Sequence, residues 1–189
     1  MPKSVQTTRQ VDKRPSRALA ALRSLDSSLV IRFSNWKAGR IMDWFMKGLS
    51  YFGYGFLYPV IIGAMKIADP PEYPKMVPAS FLAFFLEYSG MKGVKALVKR
   101  PRPARTHPRV RERMSTLGLH SFPSGHSAGA FVLSTLLAHY HPLLAVPFHA
   151  GAFLVAISRL YNGLHYPSDI LAGSLLGLAC AAVSLRIFF

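Results

Sequence analysis

Between Lys47 and Lys66 lies an uncharged stretch, Gly48 to Met65, and four further apolar stretches follow it: Met76 to Met91, Ser124 to Tyr140, Pro142 to Ile157 and Ser168 to Leu185. Roughly 20 apolar residues at 1.5 Å rise each cross a bilayer. Gly48 to Met65 with its flanks is long enough, and it reads as the clearest spanning helix. The other four are short for isolated spans, but they are adequate when bundled and extended by their flanks. Prolines and charge separate them. Asp69-Pro70-Pro71-Glu72-Tyr73-Pro74 cannot continue a helix, because successive prolines remove amide donors and fix φ. Met76 to Met91 is interrupted only by Glu87 and runs into Lys92, Lys95, Lys99 and Arg100, after which Pro101, Pro103 and Pro108 dictate a basic loop as far as Phe122. The expected fold is all-α, a polytopic membrane helix bundle of about five transmembrane helices.

Composition agrees with that reading. Apolar residues make up 51% of the 189-residue chain and charged residues only 16%. The formal charge of +15 is gathered into two blocks, Lys3 to Arg40 and Lys92 to Arg113, that flank apolar stretches. Blocks so placed face anionic lipid headgroups or a phosphorylated substrate rather than nucleic acid. Cys180 is the single cysteine, so no intrachain disulfide and no cysteine-based metal site is possible.

Residues 1 to 14 read as a disordered basic tail without the apolar core of a signal peptide, and 15 to 189 as one membrane-embedded domain. After Pro15 and Ser16, Leu19, Leu22, Leu25, Leu29 and Phe33 recur at helical spacing with Arg17, Arg23 and Arg32 between them. This is the pattern of an amphipathic helix on the membrane surface, or of one packed on the bundle. With five spans, the loop from Lys99 to Phe122 and the loop from Tyr161 to Pro167 fall on one side, because two spans separate them. The N-terminus shares that side.

Three clusters on that side could carry chemistry. Lys95 and Arg102 stand seven positions apart at a helix end, where both side chains can project from one face and suit a phosphate dianion. A basic run beside a span also commonly does no more than anchor it at the headgroups. In Pro123-Ser124-Gly125-His126, Ser124 fits an N-cap, and the free amides of Gly125 and His126 could open an anion-binding helix start, or the segment could be an ordinary capped helix with a surface histidine. In Ser158-Arg159 through His165 to Asp169, the carboxylate can reach back to the imidazole, fix its tautomer and leave the other nitrogen free to attack. Asp169 alone could equally complement a helix dipole.

Taken together, Lys95-x6-Arg102-Pro103, Pro123-Ser124-Gly125-His126 and Ser158-Arg159-x5-His165-x3-Asp169 resemble, at every fixed position, the three-part signature of the type-2 phosphatidic acid phosphatase superfamily. The spacing selects Arg102 over Arg100, since counting back from Arg100 lands on Gly93, and Arg100 is a secondary candidate. The chain departs from six-span members in having a surface helix where they have a first span.

The resemblance implies that His165 attacks phosphorus to form a phosphohistidine, that Asp169 orients it, and that His126 protonates the leaving oxygen and later activates water. Lys95, Arg102 and Arg159, with the Ser124 hydroxyl and the Gly125 amide, would bind the phosphate in place of a metal ion, so neither metal nor cofactor is expected. His139, His141 and His149 lack metal-ligand spacing and read as structural, while His107 and His120 read as solvated. Glu87, an ionisable residue within a span, is a further candidate that could position Lys95, or simply reach the interface.

Expected partners are the lipid bilayer and a membrane lipid phosphate or diphosphate: an isoprenoid diphosphate, phosphatidic acid or phosphatidylglycerophosphate. The stretch from Lys95 to His126 is somewhat similar to polyisoprenoid diphosphate phosphatases. A lipid phosphotransferase would use the same residues, and an inactive scaffold would keep the fold alone. Vanadium-dependent haloperoxidases share the signature but are soluble. The excess of Lys and Arg ahead of the first span places the N-terminus and active site in the cytoplasm.

Overall fold

The computed structural model describes residues 16–68, 71, 73–115 and 118–189, so the basic tail expected over residues 1 to 14 lies outside the described residues. Among the described residues there are helices and no strands; one isolated bridge joins Pro101 to His120. The helices are α1 (Arg17–Ser34), α2 (Arg40–Phe52), α3 (Leu57–Ala64), α4 (Tyr73–Val98), a single turn α5 (Pro103–Thr106), α6 (Gly125–Tyr140), α7 (Ala145–Tyr161) and α8 (Pro167–Phe188).

Helix α6 is the centre, packing on α7, α8 and α4. Its approach to α8 is set by small residues. A Cβ added at Gly173 would sit 2.3 Å from the Ser124 carbonyl oxygen, and one at Gly177 2.2 Å from that of Ala128. Apolar side chains gain little by leaving lipid for protein, so close backbone packing of this kind is what holds membrane helices together. It also fixes the start of α6 against the start of α8, bringing the second and third sequence clusters together.

The stretch Gly48 to Met65 is not one straight helix. It is broken between α2 and α3, and Arg40–Phe52 and Leu57–Ile67 make an angle of 73°. The cause lies in Gly53-Tyr54-Gly55. Gly55 has φ +81°, which an L side chain rarely adopts, and a Cβ at Gly53 would lie 2.6 Å from the His126 ring. The break lets backbone press on a site histidine.

Two segments, Pro142–Tyr161 and Pro167–Phe188, are long and apolar enough to cross a membrane, and the bent pair makes a third if counted as one span. Among the described residues that gives two or three spans by length and composition where five are expected. Helix α6 has only 16 residues, and α4 is long but interrupted by Lys75, Glu87, Lys92 and Lys95.

Helix α1 reconciles the two readings of its pattern. Asp26, Val30 and Ser34, one turn apart, face the bundle and are buried, whereas Leu19, Leu22, Leu25 and Leu29 remain exposed as a row. The helix is packed on α7 and α8 by one face and offers a leucine face outward.

Candidate active site

Each cluster is delivered by a chain break. Lys99, at φ +47°, turns the chain out of α4 after Lys95. The segment Arg100 to Arg102 then crosses the end of the bundle, tied to the far side of the loop where Ser121 N–H donates to the Arg100 carbonyl at 2.8 Å. Ser124 caps α6, and its own N–H donates to the Asp169 carbonyl at 3.0 Å, which fixes the start of α6 to the first turn of α8. Pro167 at the first position of α8 costs no helical hydrogen bond there.

A cavity of about 920 Å³ gathers Lys95, Arg102, Gly125, His126, Arg159 and His165 at one end. Arg102 is anchored at two carbonyls, with Nε donating to Gly118 at 2.7 Å and Nη1 to Leu164 at 3.0 Å. The same Nη1 stands 3.5 Å from His165 Nε2. Arg159 is fully buried; Nη1 donates to the Ser50 hydroxyl, while Nε and Nη2 have no partner. Two guanidinium donors are thus left free for a ligand. His126 Nε2 is likewise unpartnered, its ring edge-on to Tyr54 at 4.6 Å.

His165, just ahead of α8, and Asp169 in its first turn approach with Nδ1 to Oδ2 at 3.7 Å, an ion-pair distance rather than a hydrogen bond. The carboxylate is held elsewhere: Oδ2 accepts from the Tyr166 N–H at 2.9 Å, and Oδ1 accepts from Arg100 Nη1 at 2.8 Å. Burial, with the Arg159 and Arg102 guanidiniums nearby, pushes the His165 imidazole from 6.5 down to about 4, although Asp169 pulls the other way. Above that pH a neutral ring keeps one nitrogen lone pair, on Nε2 when Nδ1 carries the proton toward Asp169; as pH falls through it, the lone pair is lost to a proton. In nitrogen-15 spectra assigned with His165→Ala, the His165 ring is expected to remain neutral as pH passes 6.5 and to titrate only near 4. A midpoint near 6.5 would contradict the burial argument.

The remaining candidates are placed differently. Ser124 lines no part of the cavity; its buried hydroxyl accepts from the Ser127 N–H and hydroxyl at 3.4 and 3.0 Å. Arg100 does not line the cavity either. It donates to Asp169, to Ser168 Oγ at 2.7 Å and to Asp26 Oδ2 at 2.8 Å, and lies 3.8 Å over the Tyr166 ring. Glu87 does line the cavity, but no ion pair joins it to Lys95 or to any other described cation.

Sequence reasoning missed Asp26. This residue of α1 is 3% exposed and accepts from the Ser168 N–H at 3.0 Å, from the Ser168 hydroxyl and from Arg100. One carboxylate therefore joins the surface helix, the Arg100 segment and the first turn of α8. A lone acid in a Leu-rich amphipathic helix carries no signal of that role. Breaking such a buried pair costs about 3–5 kcal/mol. Asp26→Ala is expected to lower kcat by about tenfold to a hundredfold with little change in KM, through loosening of Asp169, and Asp26→Asn is expected to recover part of it. An unchanged kcat for the alanine variant would show that the clasp does not position Asp169.

Comparison with known proteins places this geometry. The sequence model of the PAP2 superfamily matches residues 78–189. Decaprenylphosphoryl-5-phosphoribose phosphatase of Mycobacterium tuberculosis is 30% identical over 179 residues, 91% of each chain. Among solved structures, LpxE of Aquifex aeolicus superposes with a TM-score of 0.76 at 29% identity, covering 86% of this chain and 95% of that one. The first transmembrane PAP2 type phosphatidylglycerolphosphate phosphatase from Bacillus subtilis gives 0.70 at 27% identity, covering 88% and 86%. Since that model matches residues 78–189, more than half of the chain, the chain belongs to the PAP2 superfamily.

Proposed function

We propose that this integral membrane protein is a lipid phosphatase that hydrolyses a membrane lipid phosphate or diphosphate through a phosphohistidine. One observation carries the reading: the cavity that holds the cationic cup at one end continues between α3 and α4 as an apolar trough. Its walls include Tyr58, Phe81, Phe84 and Phe85, and Phe81 is 75% exposed at the rim. A phosphate dianion fits one end and a hydrocarbon chain the other.

In the proposed reaction the phosphate oxygens take the free donors of Arg159 together with Lys95, Arg102 and the Gly125 amide. The His165 Nε2 lone pair attacks phosphorus and forms the P–N bond. The bond from phosphorus to the lipid oxygen breaks, and that oxygen leaves with the electron pair and takes a proton from His126, which enters the cycle as the imidazolium and leaves this step neutral. Water then attacks phosphorus, giving its proton to His126, and the P–N bond breaks to restore neutral His165. Asp169 stabilises the imidazolium character that develops on the ring during transfer.

Five spans complete the proposal, formed by the bent α2–α3 pair, α4, α6, α7 and α8, with α1 on the surface through its leucine row. The basic N-terminal region then places the N-terminus and the active site in the cytoplasm. Reporter fusions at the C-terminus test this side assignment, and a cytoplasmic signal there would overturn it.

The relatives act, by their names, on a decaprenylphosphoryl-phosphoribose and on a phosphatidylglycerolphosphate. The substrate class that unites these with the trough is a phosphate borne by a membrane lipid, an isoprenoid diphosphate, phosphatidic acid and phosphatidylglycerophosphate included. Phosphate release by protein purified in detergent, in the presence of EDTA and across a panel of these lipids, is the direct test. Release from none of them would refute the proposal.

A further inference from the structure

The trough beyond the cup is not uniformly apolar. Tyr58 Oη, Ser80 Oγ and Glu87 Oε1 are all buried, all belong to residues lining the cavity, and none has a hydrogen-bond partner. Ser80, Phe84, Glu87, Met91 and Lys95 recur at three and four residues, so they form one stripe of α4 with the Lys95 end at the phosphate cup. Glu87 stands eight residues before Lys95, an axial separation of about 12 Å. Tyr58, from α3, stacks on Phe84 at 5.3 Å and so faces Glu87 across one turn.

A buried carboxylate in a spanning helix is costly unless something meets it, and such residues normally mark a substrate path. Among the described residues no hydrogen-bond partner meets Glu87 Oε1. The mechanism does not use it either, since the cup lies at the other end of the stripe. We propose that Glu87 and Tyr58, with Ser80 deeper in the trough, form a second recognition point that takes a hydroxyl group on the body of the substrate, between its phosphate and its hydrocarbon tail.

The two unpartnered groups, a carboxyl oxygen and a phenol, suit a group that can both donate and accept. A hydroxyl donates to the carboxylate and accepts from the tyrosine, which satisfies both orphaned groups at once. The protein would accordingly prefer lipid phosphates with a hydroxylated body, such as a sugar unit, over plain alkyl or isoprenyl phosphates. This rests on the phosphatase reading and narrows its substrate class.

The test is a series of long-chain alkyl monophosphates carrying one hydroxyl that is moved stepwise along the chain, compared with the unsubstituted compound. For the wild type, one position is expected to raise kcat/KM about tenfold over the unsubstituted phosphate, the worth of one hydrogen bond to a buried charged group. That ratio is expected to fall to about one in Glu87→Met and to shrink in Tyr58→Phe, which removes a single oxygen and keeps the test open if the methionine variant does not fold. A wild type that hydrolyses the whole series without positional preference overturns the subsite and leaves the phosphatase standing. So does a preference that survives in both variants, while failure to hydrolyse any member overturns both.

Discussion

Replacing His165 with alanine is expected to lower kcat/KM by about 10⁵ to 10⁶, the loss seen when the attacking group of a covalent mechanism is removed. The ring is 1% exposed, neutral at physiological pH, and directs Nε2 toward the cationic end of the cavity beside Arg102. His126, the other histidine lining the cavity, comes from a different element, the start of α6. Phosphate-labelled lipid should leave an acid-labile, alkali-stable label on the wild type and none on His165→Ala. His126→Ala should behave differently. Loss of a general acid and base costs about 10² to 10⁴, and because the proposed cycle uses this ring in both halves, label should still form on His165, more slowly, and persist longer once formed. Label retained in His165→Ala, or that variant keeping a tenth of wild-type activity, would place the nucleophile elsewhere.

How far the sequence reveals this arrangement depends on whether a residue is recognised by spacing or by space. Lys95, Arg102, His126, Arg159, His165 and Asp169 are spaced by fixed counts at helix ends, so a one-dimensional pattern carries them, and helix geometry turns those counts into shared faces. The same counting separates Arg102, which lines the cavity, from Arg100, two residues earlier, which is turned to Asp26 and Asp169. Asp26, Ser50 and Tyr58 could not be found that way. Each is an ordinary residue in a helix far from the clusters, 142 positions from Ser168 and 109 from Arg159 in the first two cases, and acquires its role only through tertiary packing. The break within Gly48 to Met65 was hidden for a related reason. Hydropathy is blind to bends, and the two glycines that permit this one look no different from glycines inside a straight membrane helix. Ser124 shows the reverse. As an N-cap it is where the pattern puts it, but its hydroxyl oxygen accepts from Ser127 and lines no part of the cavity.

Arg159→Met is expected to cut activity by about 10³ and, in the same protein, to raise thermal stability. The guanidinium is fully buried at the end of α7, and among the described residues no carboxylate comes within 4.0 Å of it. Its one hydrogen bond goes to the neutral Ser50, and Lys95 and Arg102 add like charge to the same cavity. Without substrate, such a group is a liability: a buried charge lacking a partner costs several kcal/mol, and a well-packed apolar replacement relieves about 1–4 kcal/mol of that. A bound dianion reverses the sign, since Nε and Nη2 then gain charge-assisted bonds that strengthen as phosphorus is transferred, worth about 10² to 10³ in rate for a single donor and more for two. Inorganic phosphate should therefore raise the melting temperature of the wild type by mass action and leave that of Arg159→Met nearly unmoved. Arg159→Lys should keep the destabilising charge yet recover little activity, because a point charge cannot present two fixed donors. The decisive measurement is the pair of melting curves with and without phosphate. If Arg159→Met melts below the wild type, or gains as much from phosphate, the arginine is holding the fold together rather than waiting for a ligand.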